Sequence, residues 1–248
     1  MKTILKIAFD KCIVDKTRRG AAEAPDVIQG FVNIKDAIWK EIKIASDFET
    51  TSNNITKTVL DKDIIIGIGG DHSVSYGLMK AFSKKYPNIG LIVFDAHLDC
   101  ESDFLPPDHE DILKAAVKEK LFKKMFVAGV RNYTKEQQEF AMKNFSWDSA
   151  KVSIDTIKQH IQQEVLEQVD NIYISIDIDV FDPEFAPGTG YPEKDGLKPA
   201  DVLPIILDLA KTGKVKGFDI VEVCPKKDVN NKTSKLAAKI LIDFLSFT

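Results

Sequence analysis

The chain has 248 residues, 44% hydrophobic and 29% charged, with 34 Lys plus Arg against 38 Asp plus Glu for a formal net charge of -4. This is globular composition for one domain, expected over 1–248, and it argues against a disordered, collagen-like or membrane chain. Net acidity also argues against a nucleic-acid partner, which would need a basic face.

Short β-branched runs alternate with amphipathic stretches along the chain. Strands are expected over 4–9, 41–46, 63–68, 90–95, 125–130, 152–154, 172–180 and 218–223. One helix is expected from about Pro25, and others over 73–84, 108–118, 134–144, 157–167, 199–211 and 233–247. Thr134 with Gln137 reads as a capping box, and Lys198-Pro199 as a helix entry. The alternation implies a parallel sheet covered by helices on both faces, and the unbroken apolar runs IIIGIG and LIVF suit strands buried on both sides. Pattern alone fits both an open doubly wound sheet and a closed eight-stranded barrel.

Cys12, Cys100 and Cys224 are far apart and odd in number, which fits neither a disulfide framework nor a metal knuckle and suggests a reducing, cytoplasmic setting. The N-terminal apolar run is too short for a signal sequence, and no stretch reaches the length of a membrane span.

Histidine is scarce, with four in the chain. His72 ends IIIGIGGDHS and His97 ends LIVFDAHLD, while His109 follows in the same connection. His160 falls on a polar helix and reads as a surface group. Asp95, His97 and Asp99 stand two apart, as do Asp177 and Asp179, a spacing that directs side chains to one side of an extended chain. Carboxylates beside buried strands need a strong counter-charge, and neither run contains Lys or Arg, so metal ions are the natural candidates. Four carboxylates balance two divalent cations, with His72 and His97 each giving one nitrogen. This oxygen-rich set without thiolate favours manganese over zinc or copper.

GGDHS (69–73), DAHLD (95–99), SIDIDVFDPEFAPGTG (175–190) and DIVEVCP (219–225) resemble the signature segments of the ureohydrolases, the arginase, agmatinase and formiminoglutamase superfamily. RRGAAEAPDVI (18–28) and VAGVRN (127–132) extend the likeness, which runs in order over most of the chain. The resemblance implies an open, mostly parallel eight-stranded α/β sheet with helices on both faces. It also implies two Mn2+ per subunit, one on His72, Asp95, Asp99 and Asp177, the other on His97, Asp95, Asp177 and Asp179. A metal-bridging hydroxide would attack a guanidino carbon, releasing urea and an amine. By the same resemblance Asp99 passes a proton to the departing amine, His109 shuttles protons to solvent, and Glu222 pairs with the guanidinium. The resemblance further implies a homo-oligomer, trimer or hexamer.

The chain is short for this family, and it departs from the pattern in places. His109 lies ten residues beyond Asp99 and is followed by Glu110-Asp111 rather than a small residue; Tyr191 stands where threonine is usual, and Asp195-Gly196 where two glycines are common. The loop CESDFLPPDH has no asparagine and one serine, unlike the arginase loop that holds an amino acid. Its acids Glu101, Asp103 and Asp108 suit a small cationic guanidino substrate, favouring agmatine, which would yield putrescine. The alternatives are a formiminoglutamase releasing formamide, an arginase, and a catalytically silent homologue acting as a binding protein. A single-metal zinc deacetylase of related fold would leave the extra carboxylates unexplained.

Overall fold

The computed structural model describes residues 2–35, 37–59 and 64–247. The strands are β1 (Lys2–Ile7), β2 (Ala37–Glu41), β3 (Ile65–Gly69), β4 (Ile89–Phe94), β5 (Lys124–Val130), β6 (Ser146–Ser149), β7 (Asn171–Asp177) and β8 (Val215–Val221). They form one sheet in the order β2-β1-β3-β8-β7-β4-β5-β6, and every pair is parallel. The end strands β2 and β6 do not pair with each other, so the sheet is open and the barrel alternative falls.

Successive residues of a strand face opposite sides, and the core divides accordingly. Ile66, Ile92 and Phe94 point to one face, with α1 (Ala24–Gln29), α6 (Ile154–Ile161), α7 (Pro199–Lys211) and α8 (Lys232–Leu245). Ile65, Leu91 and Val93 point to the other, with α2 (Phe48–Val59), α3 (Ser73–Lys85), α4 (Ile112–Lys118) and α5 (Lys135–Asn144). The capping box at α5 is present: Gln137 N donates to Thr134 Oγ1 at 3.2 Å and Thr134 N to Gln137 Oε1 at 2.7 Å. Pro199 opens α7 and Pro25 lies in the first turn of α1, as expected.

Three strand expectations need correction, and a fourth reaches residue 63, outside the described residues. The strand expected over 41–46 is instead β2, an edge strand whose side chains are all at least partly exposed. The strand expected over 152–154 is β6, earlier in the chain; Ser153 caps α6 by accepting the Thr156 N–H at 3.2 Å, which commits that stretch to helix. The run 172–180 ends as a strand at Asp177, because its carboxylate accepts the Asp179 N–H at 2.9 Å and winds 178–180 into a single 3-10 turn. Helix α2 was not expected at all, and α4 begins at Ile112, leaving His109 in the preceding loop.

The connection from β3 to β4 leaps over β8 and β7. The C-terminal ends of these four central strands therefore meet where the sheet order switches, the usual ligand position of open parallel sheets.

Candidate active site

Each site segment leaves the C-terminal end of a central strand. After β3 the chain passes so close to Phe9 that a Cβ on Gly70 would lie 1.8 Å from the Phe9 carbonyl oxygen, so only glycine fits. Asp71 N then donates to that carbonyl at 2.8 Å, and His72 is delivered at the head of α3. Its Nδ1 stands 3.2 Å from Asp95 Oδ2, 2.8 Å from Asp99 Oδ2 and 3.5 Å from Asp177 Oδ2. His97 Nδ1 lies 3.0 Å from Asp179 Oδ2 and 3.5 Å from Asp95 Oδ1.

All six residues expected to gather do so, but not along the extended path their spacing implies. β4 ends at Phe94, and Asp95 to Asp99 follow an irregular path rather than an extended one, with Asp99 at a positive φ of 39°. Main-chain bonds set that path: His97 N donates to Asp95 Oδ1 at 2.7 Å, and Ala96 N to Asp179 Oδ1 at 3.1 Å. The carboxylates thus organise the loops that carry them.

Burial and the neighbouring Asp95 push Asp99 up to about 7, and burial with Asp179 and Asp95 pushes Asp177 well above the usual carboxylate range. Burial would depress the two imidazoles, yet their carboxylate neighbours hold both His72 and His97 well above the ordinary histidine value. The cluster is a concentration of negative charge short of cations. His72 Nδ1, Asp95 Oδ2 and Asp99 Oδ2 are buried and lack a directed hydrogen bond, a costly arrangement that a cation would relieve. Among the described residues, two groups could hold a metal ion, His72 with Asp95 and Asp177, and Asp95 with His97 and Asp179. Asp95 belongs to both.

Behind the imidazoles lies a layer that sequence reasoning left unassigned. His72 Nε2 is 3.0 Å from Ser175 Oγ, and Ser175 Oγ donates to Asp219 Oδ1 at 2.7 Å. Tyr173 also donates to the fully buried Asp219. The signal was present as an aspartate inside the apolar strand VKGFDIV. On the more open side, Asn132 Nδ2 donates to Glu193 Oε1 at 2.8 Å, and that oxygen stands 3.7 Å from His97 Nε2. Arg131 pins this loop by donating to the carbonyls of Lys194 and Glu193, each at 3.0 Å.

The cluster opens into a cleft of about 370 Å3 whose walls include His109, Tyr191 and Glu222. Glu222 follows β8 in a left-handed conformation with φ of 61°. One of its oxygens accepts the His72 N–H at 2.8 Å, while Oε2 is buried without a partner. His109 Nδ1 lies 3.5 Å from Glu222 Oε1; burial would lower its pKa, but Glu222 raises it to about 9. Of the three loop acids expected to attract a cation, only Glu101 faces the cleft, where Glu110 joins it. Asp103 turns outward to Lys118 at 2.7 Å and Lys114 at 3.2 Å, and Asp108 caps its own turn by accepting the Glu110 N–H at 2.8 Å. His160, expected to be a solvated surface group, is partly exposed but pairs with Asp148 at 2.9 Å.

An open, all-parallel eight-stranded sheet with acid and imidazole clusters at its C-terminal edge is the arginase-like α/β architecture. The family model for the arginase family matches residues 3–246, and the chain belongs to that family. It is 32% identical over 200 residues to an agmatinase of Halalkalibacterium halodurans, covering 79% of this chain and 68% of that protein. To an agmatinase of Bacillus subtilis it is 35% identical over 185 residues, covering 73% and 62%, so the chain matches about two thirds of the length of these relatives. The solved agmatine ureohydrolase of Thermoplasma volcanium superposes with a TM-score of 0.84 at 29% identity, covering 99% of this chain and 89% of that one. Arginase from Bacillus subtilis superposes at 0.88 with 20% identity, covering 99% and 98%, and shares the fold. Membership places the chain among hydrolases of guanidino and amidine groups.

Proposed function

We propose that the chain is a manganese-dependent amidinohydrolase that cleaves a small cationic guanidine, agmatine in the first instance, to urea and an amine. The observation that carries this reading is the pair of ligand groups sharing Asp95 beside an unpaired Glu222 carboxylate oxygen in one cleft. In it, His72, Asp95, Asp99 and Asp177 would hold one Mn2+, and His97, Asp95, Asp177 and Asp179 the other. Bound there, the two ions would supply a water acidified enough to act as a nucleophile near neutral pH.

The remaining work falls to the protein's own groups. Glu222 holds the guanidinium through Oε2, a charge-assisted bond that fixes its carbon against the cluster. Asp99 is buried at the junction of cluster and cleft, placed to hand a proton to the departing amine nitrogen. His109, beside Glu222 and lining the cleft, exchanges that proton with solvent.

Agmatine is favoured over formiminoglutamate and arginine because Glu101 and Glu110 line the cleft while no Lys or Arg does among the described residues. A carboxylate tail would meet these two acids there and no lysine or arginine. Relatives named agmatinase support the same choice. A single-domain, cytoplasmic homo-oligomer, trimer or hexamer, completes the reading. The one continuous sheet supports the single domain, three free cysteines support the reducing setting, and membership of the arginase family supports the oligomer.

The deciding experiment is a panel of agmatine, arginine, 4-guanidinobutyrate and formiminoglutamate with added manganese, scored for urea against formamide. Urea from agmatine, lost on chelation and restored by manganese, is expected. Formamide release alone, or full activity in metal-free protein, overturns the reading.

A further inference from the structure

A guanidine that carries a carboxylate needs a cation within reach of its tail. No lysine or arginine lines the cleft among the described residues, and the imidazole beside Tyr191, His109, already faces Glu222; an arginine stands immediately outside. The Arg18 guanidinium carbon lies 4.2 Å from the centroid of the Tyr191 ring, a cation–π stack, while the same ring sits 5.4 Å from the His109 ring on the cleft side. Gly190 shows how thin the partition is. A Cβ built there would lie 3.2 Å from the Arg18 carbonyl oxygen, 3.9 Å from Arg18 Cβ and 3.8 Å from Glu222 Oε2. Apart from the stack, Arg18 has a 3.5 Å contact with Asp15, both side chains about half exposed, which restrains it weakly. Lys227, another cation near Gly190, donates to the Gly190 carbonyl at 3.4 Å.

We propose that Tyr191 is a specificity-determining residue that screens Arg18 from the cleft, so that ligands with a carboxylate tail are refused and those with a cationic tail accepted. The inference rests on the hydrolase reading above for its ligand class. Glu101 and Glu110 attract the cationic tail, and the Tyr191 ring keeps the opposing guanidinium on its far side. Threonine at this position would remove the ring and open Arg18 to the cleft.

Two readouts separate this inference from the proposed reaction. Calorimetry on manganese-loaded protein compares Kd for butane-1,4-diamine and 4-aminobutyrate, the amine products of agmatine and 4-guanidinobutyrate. Kinetics compares kcat/KM for those two substrates. In Tyr191→Thr both ratios are expected to move about tenfold toward the carboxylate ligand, the scale of one charge-assisted contact. The shift should vanish in Arg18→Ala/Tyr191→Thr and be absent from Tyr191→Phe, which keeps the ring. Tyr191→Leu, which keeps apolar bulk without a ring, carries the same comparison if the threonine variant does not fold. Unchanged ratios in folded Tyr191→Thr, or in Tyr191→Leu where the threonine variant does not fold, or a shift that survives loss of Arg18, overturn the proposal. Expected binding shifts in a protein that cleaves no guanidine would leave it standing while the proposed reaction falls.

Discussion

The main-chain N–H of His72 donates to Glu222 Oε1 at 2.8 Å across 150 residues of sequence. The imidazole loop after β3 and the carboxylate after β8 are thereby locked in one geometry, and Oε2 is left free for a ligand.

Glu222→Gln keeps an oxygen acceptor for that N–H but removes the charge. Activity on agmatine is expected to fall about 10- to 100-fold in kcat/KM, the worth of one charged hydrogen bond, with metal content unchanged. Wild-type activity in this variant would dismiss Glu222 as the guanidinium anchor.

Asp179 lies beside His97 and in only one of the two ligand groups. Elemental analysis of Asp179→Asn after manganese loading is therefore expected to show one equivalent where the parent holds two. Two fully occupied sites in the variant would count against the ligand set.

Ser175→Ala leaves His72 Nε2 without its partner in a buried setting, and Asp219 without one of its donors. Orphaning such groups costs about 1–3 kcal/mol, and loss of an outer partner weakens metal binding about 10- to 100-fold. Thermal melting of the metal-free protein and a manganese titration read the two effects separately. A parallel loss of stability with unchanged manganese affinity would leave Ser175 a packing residue alone.

Burial, with the Asp71 carboxylate beside it, pushes the Cys12 thiol up to about 12. A raised thiol pKa keeps the reactive thiolate scarce until pH approaches that value, on the order of one part in ten thousand at pH 8. Iodoacetamide at pH 8 should leave Cys12 unlabelled in the native protein and label it in urea, with native labelling rising steeply above pH 10. Labelling at the rate of an exposed thiol near pH 8 would contradict this environment.

The buried strands and the motif-bearing loops were legible because their signals are strong. IIIGIG and LIVF are apolar on both faces, and aspartates at their ends have few cheap explanations. The edges were less legible: β6 reads SWDS, with no apolar run, and α2 reads FETTSNNITKTV, rich in Thr and Asn that favour helices weakly. Glu101 and Asp103 look equivalent in sequence, yet one faces the cleft and the other pairs with lysines on α4, a distinction set by loop conformation. Ser175 and Asp219 escaped assignment because their meaning depends on β7 and β8 being neighbours, which strand order decides.

That strand order also governs when the cleft can exist during synthesis. β3 pairs with β8, and β8 separates it from β7. Asp95 and His97 meet Asp177 and Asp179 once β7 pairs with β4, but β8, which seats His72 beside them, is the last strand made. A nascent chain stopped before residue 215 would carry every proposed metal ligand and still lack the strand that joins His72 to the others, as well as Glu222. On the proposed reading, the group around His97 would thus come together before the group around His72, which waits for β8 to close the sheet at its centre.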